Sequence, residues 1–156
     1  MNDYRALAGL FVAFVAAILI ASARPPRSPD RGTARIGLLT IALQTAHFLE
    51  ELSTGFYVRF PELVGVDPMT REFFVAFNAA WILLWLAALA VVKKARFLAG
   101  TLLWFLAIAA IGNAVAHPAA ALFVGGYFPG LVTAPVLGVA GLFFAASLWR
   151  AGSTKA

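Results

Sequence analysis

Five apolar segments of about 20 residues, each bounded by arginines, lysines or a proline-rich stretch, constrain this chain more than any other feature. About 20 consecutive apolar residues are what an α-helix needs to cross the hydrocarbon core of a bilayer. The segments run over about residues 4–23, 36–56, 72–92, 97–117 and 131–149. Composition supports the same class, since 62% of the 156 residues are hydrophobic and only 12% are charged, against about 25% charged in soluble domains. The expected fold is an all-α integral membrane protein, a single bundle of five transmembrane helices forming one domain over residues 1–156. The chain has no cysteine, which excludes disulfides, iron–sulfur clusters and thiol catalysis.

The connectors carry the charge. Arg24 to Arg35 (RPPRSPDRGTAR) is too rich in proline and arginine to be helical throughout. Tyr57 to Thr70, with Pro61, Gly65 and Pro68, reads as a loop, with a short interfacial turn as the alternative, and Asp67-Pro68 as a cap opening the third helix. Pro118 closes the fourth helix at His117, and Ala119 to Gly130 is an apolar, glycine-rich connector. The net charge of +5 could suggest nucleic acid, but the basic residues cluster at the ends of apolar segments. With five spans, Arg24, Arg27, Arg31, Arg35, Lys93, Lys94, Arg96, Arg150 and Lys155 share one side, and only Arg5, Arg59 and Arg71 lie on the other. The positive-inside rule then puts the amino terminus outside and the carboxyl terminus in the cytoplasm. Ala21-Ser22-Ala23 resembles a signal-peptidase site, but Asp3 beside Arg5 and the long apolar run favour a retained helix.

The second segment is unlike the others. His47, Glu50 and Glu51 sit within it, with Gln44 one turn before His47. At about 100° per residue the two glutamates fall one turn beyond His47, on either side of it. Ionisable side chains at membrane depth cost roughly 2.5–3.5 kcal/mol each, so three together need a metal, a proton, a partner or a water-filled cavity. At 1.5 Å per residue, His47 lies about 18 Å beyond Arg35, Asn113 about 25 Å beyond Arg96, and Asn78 about 10 Å in from Arg71. All these residues, with His117 one turn beyond Asn113, fall in one layer in the outer half of the bilayer. Both histidines of the chain are in it. The Gly125-Gly126-Tyr127-Phe128-Pro129-Gly130 turn lies over this layer, and its glycines allow backbone to approach the bundle closely. Tyr127 is the candidate lid.

His47-Phe48-Leu49-Glu50-Glu51, the second histidine His117 preceded by Asn113, and Tyr127-Phe128-Pro129-Gly130 together resemble the HXXEE family of small prokaryotic membrane proteins. The resemblance runs from helix two to helix five. It implies a multi-pass protein of the prokaryotic cytoplasmic membrane, and it places the site while leaving the chemistry open.

Three chemistries use these residues. Two imidazoles with one or two carboxylates suit Zn, Fe or Mn, with His47, Glu50, Glu51 and His117 as ligands and catalytic groups. Gln44, Asn78, Asn113 and Tyr127 would support them from around the site. A cation activating water would make the protein a hydrolase or hydratase, and iron would instead suggest oxygen chemistry. Without a metal, adjacent carboxyls in a low dielectric cannot both ionise cheaply, and a protonated Glu beside a His is an acid–base pair for an isomerase or cyclase of an isoprenoid- or sterol-like lipid. A small transporter could use the same carboxylates as a proton relay. The metal reading is favoured, with membrane lipids as surroundings and a lipophilic substrate. For His117 a helix-end role, for Asn78 an interhelical hydrogen bond, and for Trp81, Trp85 and Trp104 plain packing are the competing readings; Trp149 reads as an interfacial anchor. No nucleotide is indicated, because Gly125-Gly126 lacks the lysine and Ser/Thr of a phosphate loop.

Overall fold

The computed structural model describes residues 8–23 and 30–153. The expected first turn of helix one from Tyr4, the arginines Arg5, Arg24 and Arg27, and Lys155 lie outside the described residues. Six helices and no strand occur among those described: α1 Ala8–Ala23, α2 Arg31–Thr54, α3 Phe56–Leu63, α4 Arg71–Val91, α5 Arg96–Val124 and α6 Ala134–Ser153.

Several boundaries differ from the sequence expectation, each for a local reason. α2 starts before Ile36, because extended Asp30 accepts the Thr33 amide on its side chain at 2.7 Å and so satisfies one of the amides a helix start leaves free. It stops at Gly55, which adopts the left-handed conformation (φ 80) and returns its amide to the Glu51 carbonyl. The same glycine opens α3 in what was expected to be loop: Val58 and Arg59 both donate to its carbonyl. Phe56 and Phe60 then stack along one face of α3, with ring centroids 5.0 Å apart. α4 is capped by Thr70, whose side chain accepts from the Phe73 amide at 3.2 Å, and not by Asp67-Pro68.

The largest correction concerns α5. Pro118 lies inside it, and the helix runs on to Val124 before Gly125 (φ 70) stops it. Proline removes a single amide and crowds the preceding turn. The run Ala119-Ala120-Ala121-Leu122 that follows favours helix strongly enough to continue it. α6, by contrast, starts later than Leu131. Residues before Ala134 form a turn, and Pro135 takes the second position of the helix, where its missing amide costs nothing.

Among the described residues, three helices are long and apolar enough to cross a membrane: Arg71–Val91, Arg96–Val124 and Ala134–Gly152. The described part of α1 is apolar but shorter, Gly9–Ala23. α2, which carries the polar stripe, packs between α4 and α6. α5 is the central helix, touching α1, α4 and α6. Its contact with α6 is the closest: a methyl group on Gly141 would sit 2.8 Å from Ala110 Cβ and 3.0 Å from the Ala107 carbonyl. Small residues facing small residues are how membrane helices bring their backbones together. Toward the other side, Phe14, Trp81, Trp85 and Phe105 join α1, α4 and α5 in one aromatic cluster, with the Trp81 and Phe105 rings 4.6 Å apart. Trp104 is buried and meets the edge of Trp149.

Candidate metal centre

α2 presents its two adjacent glutamates to different neighbours. Glu51, four residues after His47, turns inward and is 7% exposed. Its Oε1 stands 3.5 Å from His47 Nε2 and 3.5 Å from His117 Nε2. The imidazoles of His47 and His117 meet edge to face with centroids 4.7 Å apart, and both are buried, at 0% and 3% exposure. One ligand atom from each of His47, Glu51 and His117 lies within 4.8 Å of the others, so the group could hold a metal ion.

Glu50 turns the other way, to the chain that leads into α6. Its Oε1 accepts from the Tyr127 hydroxyl at 2.7 Å and the Val132 amide at 3.0 Å. Its Oε2 accepts from the Thr133 amide at 2.8 Å and the Thr133 hydroxyl at 2.6 Å. Four donors on two oxygens fill a carboxylate's accepting capacity. Glu50 is thereby an anchor for residues 127–133, and Tyr127 reaches this anchor, not the His/Glu/His group.

The hydrogen bonds around the histidines fix their protons. Thr133 has one hydroxyl proton and gives it to Glu50, so its oxygen must accept from His47 Nδ1, 2.7 Å away. His117 Nδ1 lies 2.5 Å from the Pro129 carbonyl, which can only accept. Both neutral rings therefore carry their proton on Nδ1 and present a bare lone pair at Nε2. His47 Nε2 is buried without a hydrogen-bond partner among the described residues. Two imidazole lone pairs and a carboxylate oxygen converging with no donor between them repel one another unless a cation or a proton sits among them. Two ligand atoms each about 2.0–2.1 Å from a tetrahedral ion stand about 3.3–3.4 Å apart, close to the two 3.5 Å separations observed. Histidine ligands that donate their other N–H to a carbonyl or hydroxyl are the usual supporting arrangement of a metal site.

The Tyr-x-Pro-Gly turn closes the centre. Gly130 has φ 87, and a methyl group there would lie 2.5 Å from His117 Cε1 and Nδ1 and 2.7 Å from His47 Cε1. Bare backbone thus packs directly on both rings. Arg59 of α3 holds the turn from outside, donating to the Tyr127 carbonyl at 3.1 Å, with its guanidinium 5.7 Å from the Phe128 ring centre. Phe128 is buried beside His117, and the Phe56 ring lies tilted against the same imidazole, 5.5 Å between centroids. Partial burial and the bond to Glu50 both push the Tyr127 phenol above its ordinary value of 10.0. A group whose pKa rises on folding stabilises the fold below its unfolded pKa and loses that contribution as pH rises through the folded value. Thermal stability should therefore show a fall above about pH 10 that is absent from Tyr127→Phe, read as the difference between two melting series over roughly pH 8 to 11.5.

A cavity of about 520 Å³ opens from the centre between α1, α4 and α5. Glu51 and His117 stand on its wall, with Gln44, Asn78 and Asn113 as further polar groups. The rest is apolar: Leu10, Val12 and Ala13 of α1 face Phe73, Phe77 and Trp81 of α4, and Phe56 and Phe128 close the end nearest the histidines. α1 and α4 both pack on α5 and touch at Phe14 and Trp81. Val12 and Phe73, on the two sides of this cavity, are 67% and 49% exposed. Asn78 also donates to the Phe74 carbonyl of its own helix at 2.9 Å.

Fold and site together define a helical bundle with three helices long and apolar enough to cross a membrane and a buried group of two histidines and a glutamate. The chain belongs to the HXXEE family: the description "protein of unknown function with HXXEE motif" matches residues 38–145, from α2 into α6. The matched region contains every residue of the centre and its anchor. No curated protein and no solved structure matches the chain. Thr133, which orients His47, escaped the sequence reading. Its signal is a lone hydroxyl two residues before Pro135, in the turn just before the apolar first half of α6.

Proposed function

We propose that this protein is a five-span, single-domain membrane enzyme of the prokaryotic cytoplasmic membrane, amino terminus outside, that acts on a lipophilic substrate with the help of one divalent cation. His47, His117 and Glu51 hold the ion, which is Zn, Fe or Mn by ligand type. The observation that supports the reading is the convergence on one Glu51 carboxyl oxygen of two imidazole Nε2 lone pairs whose ring protons are committed on Nδ1 to Thr133 and the Pro129 carbonyl. A cation held there would supply Lewis acidity, polarising a substrate carbonyl or epoxide or activating water for hydrolysis or hydration.

The chain's own residues do the rest. Glu50 fixes Thr133, and Thr133 fixes the tautomer and angle of His47. The Pro129 carbonyl does the same for His117. Glu51 and His117 face the cavity, so the substrate's reacting group meets them while its apolar body lies against the aromatic residues of α4 and α5. Asn113, one turn from His117, and Asn78 offer amide contacts to the same group. Membrane lipid is the source of the substrate, reached between α1 and α4.

The alternative chemistry places a proton on Glu51 in place of the ion and makes the centre an acid–base pair for an isomerase or cyclase; a proton-coupled transporter would use the same group. The purified protein in lipid nanodiscs, offered long-chain esters and epoxides, separates these. The proposal expects conversion that stops on chelation, returns with added Zn, Mn or Fe, and falls by more than about 100-fold in Glu51→Gln. Conversion indifferent to chelation would move the reading to Glu51 as an acid. Substrate flux without conversion would move it to transport.

A further inference from the structure

We propose that the cavity is a slot for a single lipid chain, one leaflet deep, whose floor at Trp85 and Phe105 sets the chain length the protein accepts. Aromatic contacts fix the two ends of the slot independently. At the centre, the Phe56 ring lies 5.5 Å from the His117 imidazole and 5.9 Å from the Phe74 ring, so α4 and α5 are level there. At the other end Trp85 and Phe105 lie 6.1 Å apart, with the Trp81 ring 4.6 Å from Phe105 and 5.7 Å from Trp85. His117, Phe74, Trp85 and Phe105 all line the cavity. Twelve residues separate Phe105 from His117 on α5, and eleven separate Phe74 from Trp85 on α4, about 18 and 17 Å of helix rise. Trp85 and Phe105 are buried, and the core continues beyond them through Ala88, Val92 and Ala99, so the slot ends on their rings.

That depth has a counterpart in the bilayer. A hydrocarbon core is about 30 Å thick, so one leaflet of it is about 15 Å. Phe105 lies nine residues beyond Arg96, about 14 Å in from the inner end of α5 and hence near the midplane. The slot thus runs from the outer end of the bundle to the middle of the membrane, as the tail of an outer-leaflet lipid does. This inference rests on the proposed function for the orientation and for placing the lipid's reacting group at the His/Glu/His centre. The substrate class is then an outer-leaflet lipid that reacts at the head end of its chain, where tail and polar head join. Between the two ends α5 lines the slot with Ala109, Gly112 and Ala116. Gly112 is not a packing glycine: a methyl group there meets nothing within 4 Å, whereas one on Gly138 or Gly141 would press on Ala114 or Ala110. It lies five residues before His117, about 7–8 Å down the slot.

The test equilibrates the full-length protein in nanodiscs with an equimolar mixture of octanoic, dodecanoic, hexadecanoic and eicosanoic acids, and identifies the retained acids by native mass spectrometry. The first two fall short of the floor, the third reaches it and the fourth overruns it. The unmodified protein should retain hexadecanoic over eicosanoic acid by roughly 5-fold or more, the cost of forcing extra methylenes into a packed site. Gly112→Leu should move the maximum to octanoic acid and cut hexadecanoic acid by roughly 5-fold or more. It should keep its bound metal and melt no lower, because leucine favours helix more than glycine does. Phe105→Ala should raise eicosanoic acid to the level of hexadecanoic acid; if that variant does not fold, Gly112→Leu decides alone. Equal retention of all four acids, retention of none, or an unchanged order in Gly112→Leu would overturn the slot. Metal-stripped protein separates the slot from the centre. The same order of lengths with weaker retention supports both, whereas the same order at unchanged strength supports the slot and removes the head group from the cation.

Discussion

Gly130→Ala is expected to dismantle the centre while leaving the helices in place. The left-handed backbone at Gly130 costs a residue with a Cβ about 1–2 kcal/mol, and forcing a methyl group into packed surroundings costs about 1–3 kcal/mol more. The added carbon would lie 2.5 Å from the His117 ring and 2.7 Å from the His47 ring, so the turn must move away from both. Its retreat carries off the Pro129 carbonyl and Thr133, the partners that hold the two Nδ1 protons. Melting in detergent should fall by the equivalent of about 2–5 kcal/mol, and cobalt titration should no longer give a saturable site. Gly126→Ala is the control, since a methyl group there meets nothing within 4 Å; it should leave both readouts unchanged. An alanine at 130 that binds cobalt normally would show that the turn does not shape the centre.

The adjacent glutamates should respond to the same substitution with opposite effects on stability. In Glu50→Gln one oxygen becomes an NH₂ group facing amide or hydroxyl donors, so at least two of the four bonds to Tyr127, Val132 and Thr133 are lost. Hydrogen bonds to a charged group contribute about 1.5–3 kcal/mol each, and a drop of about 3–5 kcal/mol in stability is expected. Metal affinity should fall by only about 10–100-fold, because Thr133 loses its fixed orientation while the three ligand atoms remain. Glu51→Gln should do the reverse. It removes a buried carboxylate from between two imidazoles, so the metal-free protein should be as stable as before or more stable, by on the order of 1 kcal/mol. Metal binding and activity should disappear. Thermal melting with chelator and isothermal titration with metal separate the two effects, and equal losses of stability in both variants would contradict the division of labour.

This division was only half legible in the sequence. Periodicity places Glu50 and Glu51 on either side of His47, but it cannot say which side meets α5 and which meets the turn before α6. That depends on how α5 and α6 pack, through Gly138 and Gly141 against Ala110 and Ala114. Residue spacing brought His47, Asn113 and His117 to a similar depth, because helical rise is the same in every helix. The helix ends were read less well. Pro118 marks a helix end in sequence, but the alanines after it carry α5 on to Val124, and nothing in the sequence around Gly55 distinguishes it as the left-handed residue that ends α2 and opens α3. Thr133 was passed over because a single threonine in an apolar run has many uses, and its role is set by Glu50, 83 residues earlier in the chain. The close approach foreseen for the glycines of the Tyr-Phe-Pro-Gly turn was readable for a simple reason: no other residue type permits it.

The most direct test of the account is the metal content of the detergent-purified protein, measured by mass spectrometry beside His47→Ala and Glu51→Gln prepared in parallel. The account predicts one divalent ion per chain in the unmodified protein and background levels in both variants, with Gln44→Leu retaining its ion. No metal above background in the unmodified protein after incubation with Zn, Mn and Fe would contradict it, and so would equal metal in all four preparations.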